Sequence, residues 1–126
     1  MITGVVTAER EAIIRVILRG PTGQELEIEA VIDTGFDGWL FLSMELTSLL
    51  LLPWRGRGRA LLADGSESIF DIYEAMIMWD EQPRRIRVDA AETAPLVGMA
   101  MLEGCELNMK IVADGPVSIR ALENSP

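Results

Sequence analysis

The 126-residue sequence contains no histidine. No Ser-His or Cys-His nucleophilic pair can therefore be assembled from this chain, and no imidazole is available to ligate a metal. Cysteine occurs once, at Cys105. A single thiol cannot form an internal disulfide, which fits a reducing compartment, and its ordinary place is that of a small buried apolar side chain. Basic residues are few, 11 Lys and Arg against 20 Asp and Glu, for a formal net charge of -9 and a pI near 4.4. That negative balance argues against nucleic acid or an anionic membrane as a partner, because both require a basic surface. The longest apolar run, around residues 49–52, is far short of the roughly 18 residues that span a bilayer. The start, MITGVVTAERE, lacks the basic region and long apolar stretch of a signal peptide. A cytoplasmic protein is the expectation. Low-complexity segments, linkers and repeats of 20 to 50 residues are also missing.

What the chain does have is apolar content, 49% hydrophobic, enough for one small domain spanning residues 1–126. The dominant period is two. AIIRVILRG reads as a strand, followed by the turn GPTG. ELEIEAVID alternates, with Glu25, Glu27 and Glu29 facing one way and Leu26, Ile28 and Ala30 the other. WLFL is a short buried strand. SMELTSLLLL opens on Ser43, a good helix N-cap, and stops before Pro53, so a short helix is expected. Residues 57–79 read as two strands around Ala63, Asp64 and Gly65, and Asp-Gly is a strong hairpin signal. RRIRVDA is a strand after the turn DEQP. GMAMLEG should give one or two helical turns closed by Gly104, and the last hairpin should turn at ADGP. The sum is an all-β domain, closed or sandwich-like, with two short helices.

The segment EAVIDTGFDGWLFLS, residues 29–43, holds the strongest candidate for chemistry. An apolar strand runs into a carboxylate, Asp33, followed at once by Thr34 and Gly35. These are ordinary turn residues, and a strand-end turn is the plain reading. A calcium loop would use Asp33, Asp37 and Gly38 at its first, fifth and sixth positions, but its third position would be Gly35 and its twelfth Met44, neither of which can ligate. A catalytic carboxylate is the third possibility, and the surrounding order of motifs decides. A hairpin with ADGS at its tip follows, and about 65 residues after Asp33 comes Leu96-Val97-Gly98 ahead of a helix-like segment and a terminal strand pair.

As an ordered set, over roughly residues 10–122, these motifs resemble the retropepsin-like aspartic proteases, and look most like their bacterial members. The resemblance implies an acid-protease barrel, an aspartic peptidase activity and a peptide or protein substrate. Amide hydrolysis without metal, histidine or cysteine needs an activated water, which two close carboxylates can supply because they cannot both ionise. This chain has one Asp-Thr-Gly, so a dyad requires a homodimer with Asp33 of each copy on a two-fold axis. The resemblance further implies that Thr34 hydrogen-bonds across that interface, that the Gly35 amide supports the aspartate, and that no cofactor or metal is used. Residues Leu62, Ala63, Asp64, Gly65 and Ser66 are similar to the family's flap, which closes over substrate. Leu96, Val97 and Gly98 look like the segment that crosses under the aspartate loop; Val97, Gly98 and Asp37 are taken as floor or pocket positions beside substrate.

Two positions depart from the family pattern. Bacterial relatives often carry Asp at the position of Ala100, and retroviral members carry Arg at that of Met99, paired to an acid near the site, so Asp37 here lacks that partner. Substrate selection is affected more than the chemistry. The basic cluster PWRGRGRAL, residues 53–61, reads as a solvated strand leading into the flap. Trp39, Trp79 and the methionines Met76, Met78, Met99, Met101 and Met109 are expected in the core or at an interface. Two other readings stay open: a dimeric peptide-binding module of the same fold with weak or no hydrolysis, and a small β-barrel regulatory or assembly subunit with no groove.

Overall fold

The computed structural model describes residues 1–123 of the chain. Its strands follow the period-two patterning. In β2 (Ala12–Arg19), Ala12, Ile14, Val16 and Leu18 are buried while Arg15 and Arg19 are exposed; in β3 (Glu25–Ile32), Ile28, Ala30 and Ile32 are buried and the three glutamates point outward. The remaining strands are β1 (Ile2–Val6), β4 (Leu40–Leu42), β5 (Trp54–Leu61), β6 (Glu67–Trp79), β7 (Gln82–Ala90), β8 (Leu96–Val97), β9 (Cys105–Met109) and β10 (Pro116–Ala121), with helices α1 (Met44–Leu49) and α2 (Met99–Leu102).

These strands form one sheet in the order β5-β6-β7-β4-β8-β3-β2-β1-β10-β9. One edge of β2 is shared: Ala12, Ile13 and Ile14 pair with β1, and Ile17, Leu18 and Arg19 pair with β6. The β2–β6 pairing bends the sheet back on itself, so β2, β3, β8, β4, β7 and β6 make a closed ring. Most neighbours run antiparallel, but β3 with β8 and β4 with β7 are parallel. The two parallel pairs flank residues 33–38 along the chain, β3 ending just before them and β4 beginning just after. The core inside the ring is aliphatic, with Leu18, Leu40, Leu42, Ile77, Val88, Val97 and Met101 among its fully buried side chains. The all-β class therefore stands.

Local signals behave as their chemistry dictates. Ser43 caps α1, its side chain accepting from the Leu46 amide, and Gly104 takes a φ of 83° just beyond α2. The turn expected over DEQP is tighter: Asp80 and Glu81 alone turn, both at positive φ, and Gln82 and Pro83 already pair with Trp79 and Met78. Strand β1 has no counterpart in the sequence reading. Cys105 is half-buried against the core rather than enclosed within it. Trp79 and Met101 are core; Trp39 is half-buried with the Arg84 guanidinium 5.5 Å from its ring centroid, and Met99 is exposed. Among the described residues, no helix is long and apolar enough to cross a membrane.

Candidate active site

Strand β3 carries Asp33 out of the core. Its last pairs are with β8, Val31 against Leu96 and Ile32 against Val97, and the Asp33 amide continues the ladder by donating to the Val97 carbonyl at 2.9 Å. The chain then turns. The Phe36 amide donates to the Asp33 carbonyl at 3.2 Å, and the Asp33 carboxylate accepts from the Gly35 amide at 2.9 Å. This last bond lies within one chain. Thr34, Gly35 and Asp37 are exposed, Asp33 partly so.

The loop is fixed from below. Gly98, Met99 and Ala100 donate their amides to the carbonyls of Trp39, Phe36 and Gly38 at 3.1, 2.8 and 2.9 Å. This close approach explains glycine at position 98: an added Cβ would lie 2.4 Å from the Gly38 carbonyl oxygen and 2.5 Å from the Phe36 ring. The expectation for Val97 and Gly98 needs correcting on this geometry. Both are buried, Val97 at 0% exposure, so they offer a substrate no surface. They are the support under the loop. Asp37 is at the surface, and Met99 is exposed at the position where the family pattern has arginine.

Strands β5 and β6 form a long two-stranded ribbon paired from Trp54–Tyr73 to Leu61–Glu67. The basic cluster lies along β5 and is matched by carboxylates: Arg55 with Glu74, Arg57 with Asp71, and Arg59 with Glu67. At the tip, Leu62 donates to the Ser66 carbonyl at 2.8 Å and Gly65 to the Leu62 carbonyl at 3.0 Å. Gly65 alone in this turn has positive φ, 87°, the left-handed position that closes such a hairpin. Asp64 accepts from both the amide and the hydroxyl of Ser66, and the hydroxyl bond is the main cause holding its carboxyl below the ordinary value of 3.8. Ala63, Asp64 and Gly65 stand in solvent.

A cleft of about 510 Å³ runs between this ribbon and the wall made by β4, α1 and the end of β7. Its lining is mainly apolar: Phe41, Met44, Leu62, Ile69, Phe70, Ala90 and Ala91, with the carboxyl-bearing residues Asp71 and Glu92. Of the expected substrate-binding residues, Leu62 lines this cleft; Ala63, Asp64, Gly65, Asp37, Val97 and Gly98 do not. The aspartate loop lies beside it, joined through Phe36, whose ring stacks on Phe41 with centroids 4.1 Å apart. The sequence reading missed Phe41, Met44 and Phe70 as lining. The signal for Phe41 was its place between Leu40 and Leu42 in a period-two strand, which turns it outward. Among the described residues, no group of three or more His, Cys, Asp or Glu side chains is clustered to hold a metal ion.

No family model matches the chain, and no curated protein matches it in sequence. In structure it is similar to a retropepsin-like aspartic protease from Rickettsia conorii, with a TM-score of 0.61 and 16% identity over 96% of this chain and 90% of that one. The chain has the retropepsin-like fold.

Proposed function

We propose that the chain is an aspartic endopeptidase whose active site forms between two copies. The observation that carries this reading is the loop of residues 33–38: an exposed carboxylate loop, fixed rigidly to β8 and α2, on a retropepsin-like fold and beside an apolar cleft. One copy supplies one Asp33. Two copies meeting at their Asp33 loops bring two carboxylates together; they share one proton, so one acts as base toward water while the other protonates the scissile carbonyl. In this assembly Thr34 contributes to the interface. The ribbon β5–β6 lies over an extended peptide as a flap, and its tip excludes water. Phe41, Leu62, Ile69 and Phe70 favour apolar side chains in the cleft.

The deciding experiment is incubation with a complex peptide library at several pH values, comparing wild type with Asp33→Asn. Cleavage on the acid side of neutrality that disappears in the variant is expected, since a dyad loses its acid when both carboxylates ionise. Turnover retained by verified pure Asp33→Asn would defeat the proposal. A second reading, a dimeric peptide-binding module with little or no hydrolysis, draws on Met99 and Ala100, which depart from the family pattern beside the loop. It expects library peptides to bind wild type and Asp33→Asn alike, uncut.

A further inference from the structure

We propose that the ion pair of Arg87 and Asp89 is a positioning device that ties the arms of the flap to the aspartate loop. Asp89 is the one charged residue among the described residues that is buried, at 6% exposure. A carboxylate held out of water needs a partner, and the Arg87 Nε supplies it at 2.7 Å. The pair also has a neighbour at each end. At one end, the second Asp89 oxygen, Oδ2, lies 3.6 Å from the point a Cβ on Gly38 would occupy. Gly38 is the last residue of the loop, held by Ala100. At the other end, the Arg87 guanidinium lies 6.0 Å from the Phe70 ring centroid, and one of its terminal nitrogens is 3.3 Å from the Cβ position of Gly58. Gly58 and Phe70 are directly paired across the two flap arms.

The pair thus lies between the loop and both flap arms, with the Asp89 carboxylate beside Gly38 and the Arg87 guanidinium beside Phe70 of β6 and Gly58 of β5. Glycine at both ends makes this possible: a side chain on Gly38 would strike the Phe36 ring, and one on Gly58 would strike Phe70 at 2.4 Å. Arginine suits the middle. Its planar fork binds Asp89 through Nε and leaves the terminal nitrogens to cover Phe70 and Gly58, which the single ammonium of a lysine cannot do at once. The pair sets the height of the flap arms above the loop, and through Phe70 it shapes the cleft wall. Arg87 and Asp89 act through the flap and are not themselves catalytic.

The kinetic consequence rests on the peptidase reading; the structural consequence does not. The test is the double variant Arg87→Met with Asp89→Leu, which removes the buried Asp89 carboxylate together with its half-exposed partner and so leaves no unpaired buried charge. Hydrogen exchange should quicken in residues 56–60 and 68–72 of the flap arms and in residues 36–38, with β2 and β3 unchanged. With a peptide that wild type cleaves, KM should rise about tenfold with kcat within about twofold, the loss of one charge-assisted contact that holds the arms over the substrate. A merely structural pair would instead change the melting temperature and leave exchange in these segments and KM alone; that result overturns the proposal. If wild type cleaves nothing, the peptidase reading fails, and exchange alone decides the role of the pair. If the double variant does not fold, Arg87→Lys is read instead. It keeps the charge beside Asp89 but abandons Gly58 and Phe70, so faster exchange in residues 56–60 is expected, and its absence counts against the device.

Discussion

Two aspartates in this molecule make the same local turn and have opposite surroundings. Asp33 accepts from the amide two residues ahead, that of Gly35, at 2.9 Å; Asp64 accepts from the amide two residues ahead, that of Ser66, also at 2.9 Å. Local turn chemistry does not separate them. The contacts beyond the turn do. The loop of residues 33–38 is bound to β8 and α2 by backbone hydrogen bonds from both directions. The hairpin tip bonds to itself, and its flanking apolar side chains stand in water, Leu61 at 77% exposure. Few buried contacts and an exposed backbone mark a segment that opens at low cost, while a loop bonded to core elements at several points opens only with them. On the proposed peptidase reading, the first serves as a fixed floor and the second as a movable roof. This is the division of labour an enclosing peptidase site requires.

The comparison is broken most forcefully at the floor. Gly98→Ala places a methyl 2.4 Å from a backbone oxygen that has nowhere to go, because the same segment is bonded to Met99 and Ala100. The expected loss of stability is about 3 kcal/mol, the upper end of overpacking costs, with activity falling in parallel. Urea denaturation measures it. A loss under about 0.5 kcal/mol, the range of ordinary surface substitutions, would mean that the floor can shift after all.

The matching change in the roof should cost less and fall elsewhere. Nothing lies within 4 Å of the Cβ position at Gly65, so Gly65→Val meets no clash, only the strain of a side chain at φ 87°. That strain is about 1 to 2 kcal/mol, and because the tip is barely coupled to the core, most of it is relieved by local rearrangement of the turn. Peptide KM should therefore rise while the denaturation midpoint moves little. Unchanged kinetics with a large fall in the midpoint would reverse the assignment of roles.

Much of this arrangement was legible in the sequence because it rests on local rules. Alternation placed the faces of β2 and β3, Ser43 marked the start of α1, and Asp64-Gly65 marked the hairpin. Asp33 was legible as a strand-end carboxylate before any fold was known. What escaped depends on pairing between distant segments. Strand β1 pairs with β10, more than a hundred residues away, and nothing in ITGVV announces it. Asp89 sits in RRIRVDA where alternation turns it outward with Arg87, and it is buried because Phe41 pairs beside it and Gly38 lies near. Val97 and Gly98 were placed in the right order along the chain, but their depth below the loop follows from the parallel pairing of β3 and β8, which a one-dimensional pattern does not contain.

The smallest expected effect lies within the roof, in the titration of Asp64. Its carboxyl is held below the ordinary value of 3.8 chiefly by the Ser66 hydroxyl and then by the Ser66 amide. A carboxyl depressed in the folded state adds stability that is fully present above the unfolded value and is lost as pH falls through the folded one. Acid should therefore loosen the tip at pH values below 3.8 and leave it intact near neutrality. Ser66→Ala removes the larger of the two bonds, so the Asp64 midpoint should move up toward the ordinary value while the amide bond keeps part of the depression. The group is fully exposed, so the change should be visible in the titration itself and scarcely in global stability. Carboxyl carbon shifts followed by NMR between neutral pH and strong acid read both midpoints directly. The Gly35 amide provides the internal control, because it donates to the Asp33 carboxylate, outside the tip. Its hydrogen exchange should be the same in both proteins. If Ser66→Ala quickens exchange at Gly35 as well, the tip and the loop are coupled within a single chain, and the separation of roof from floor does not hold.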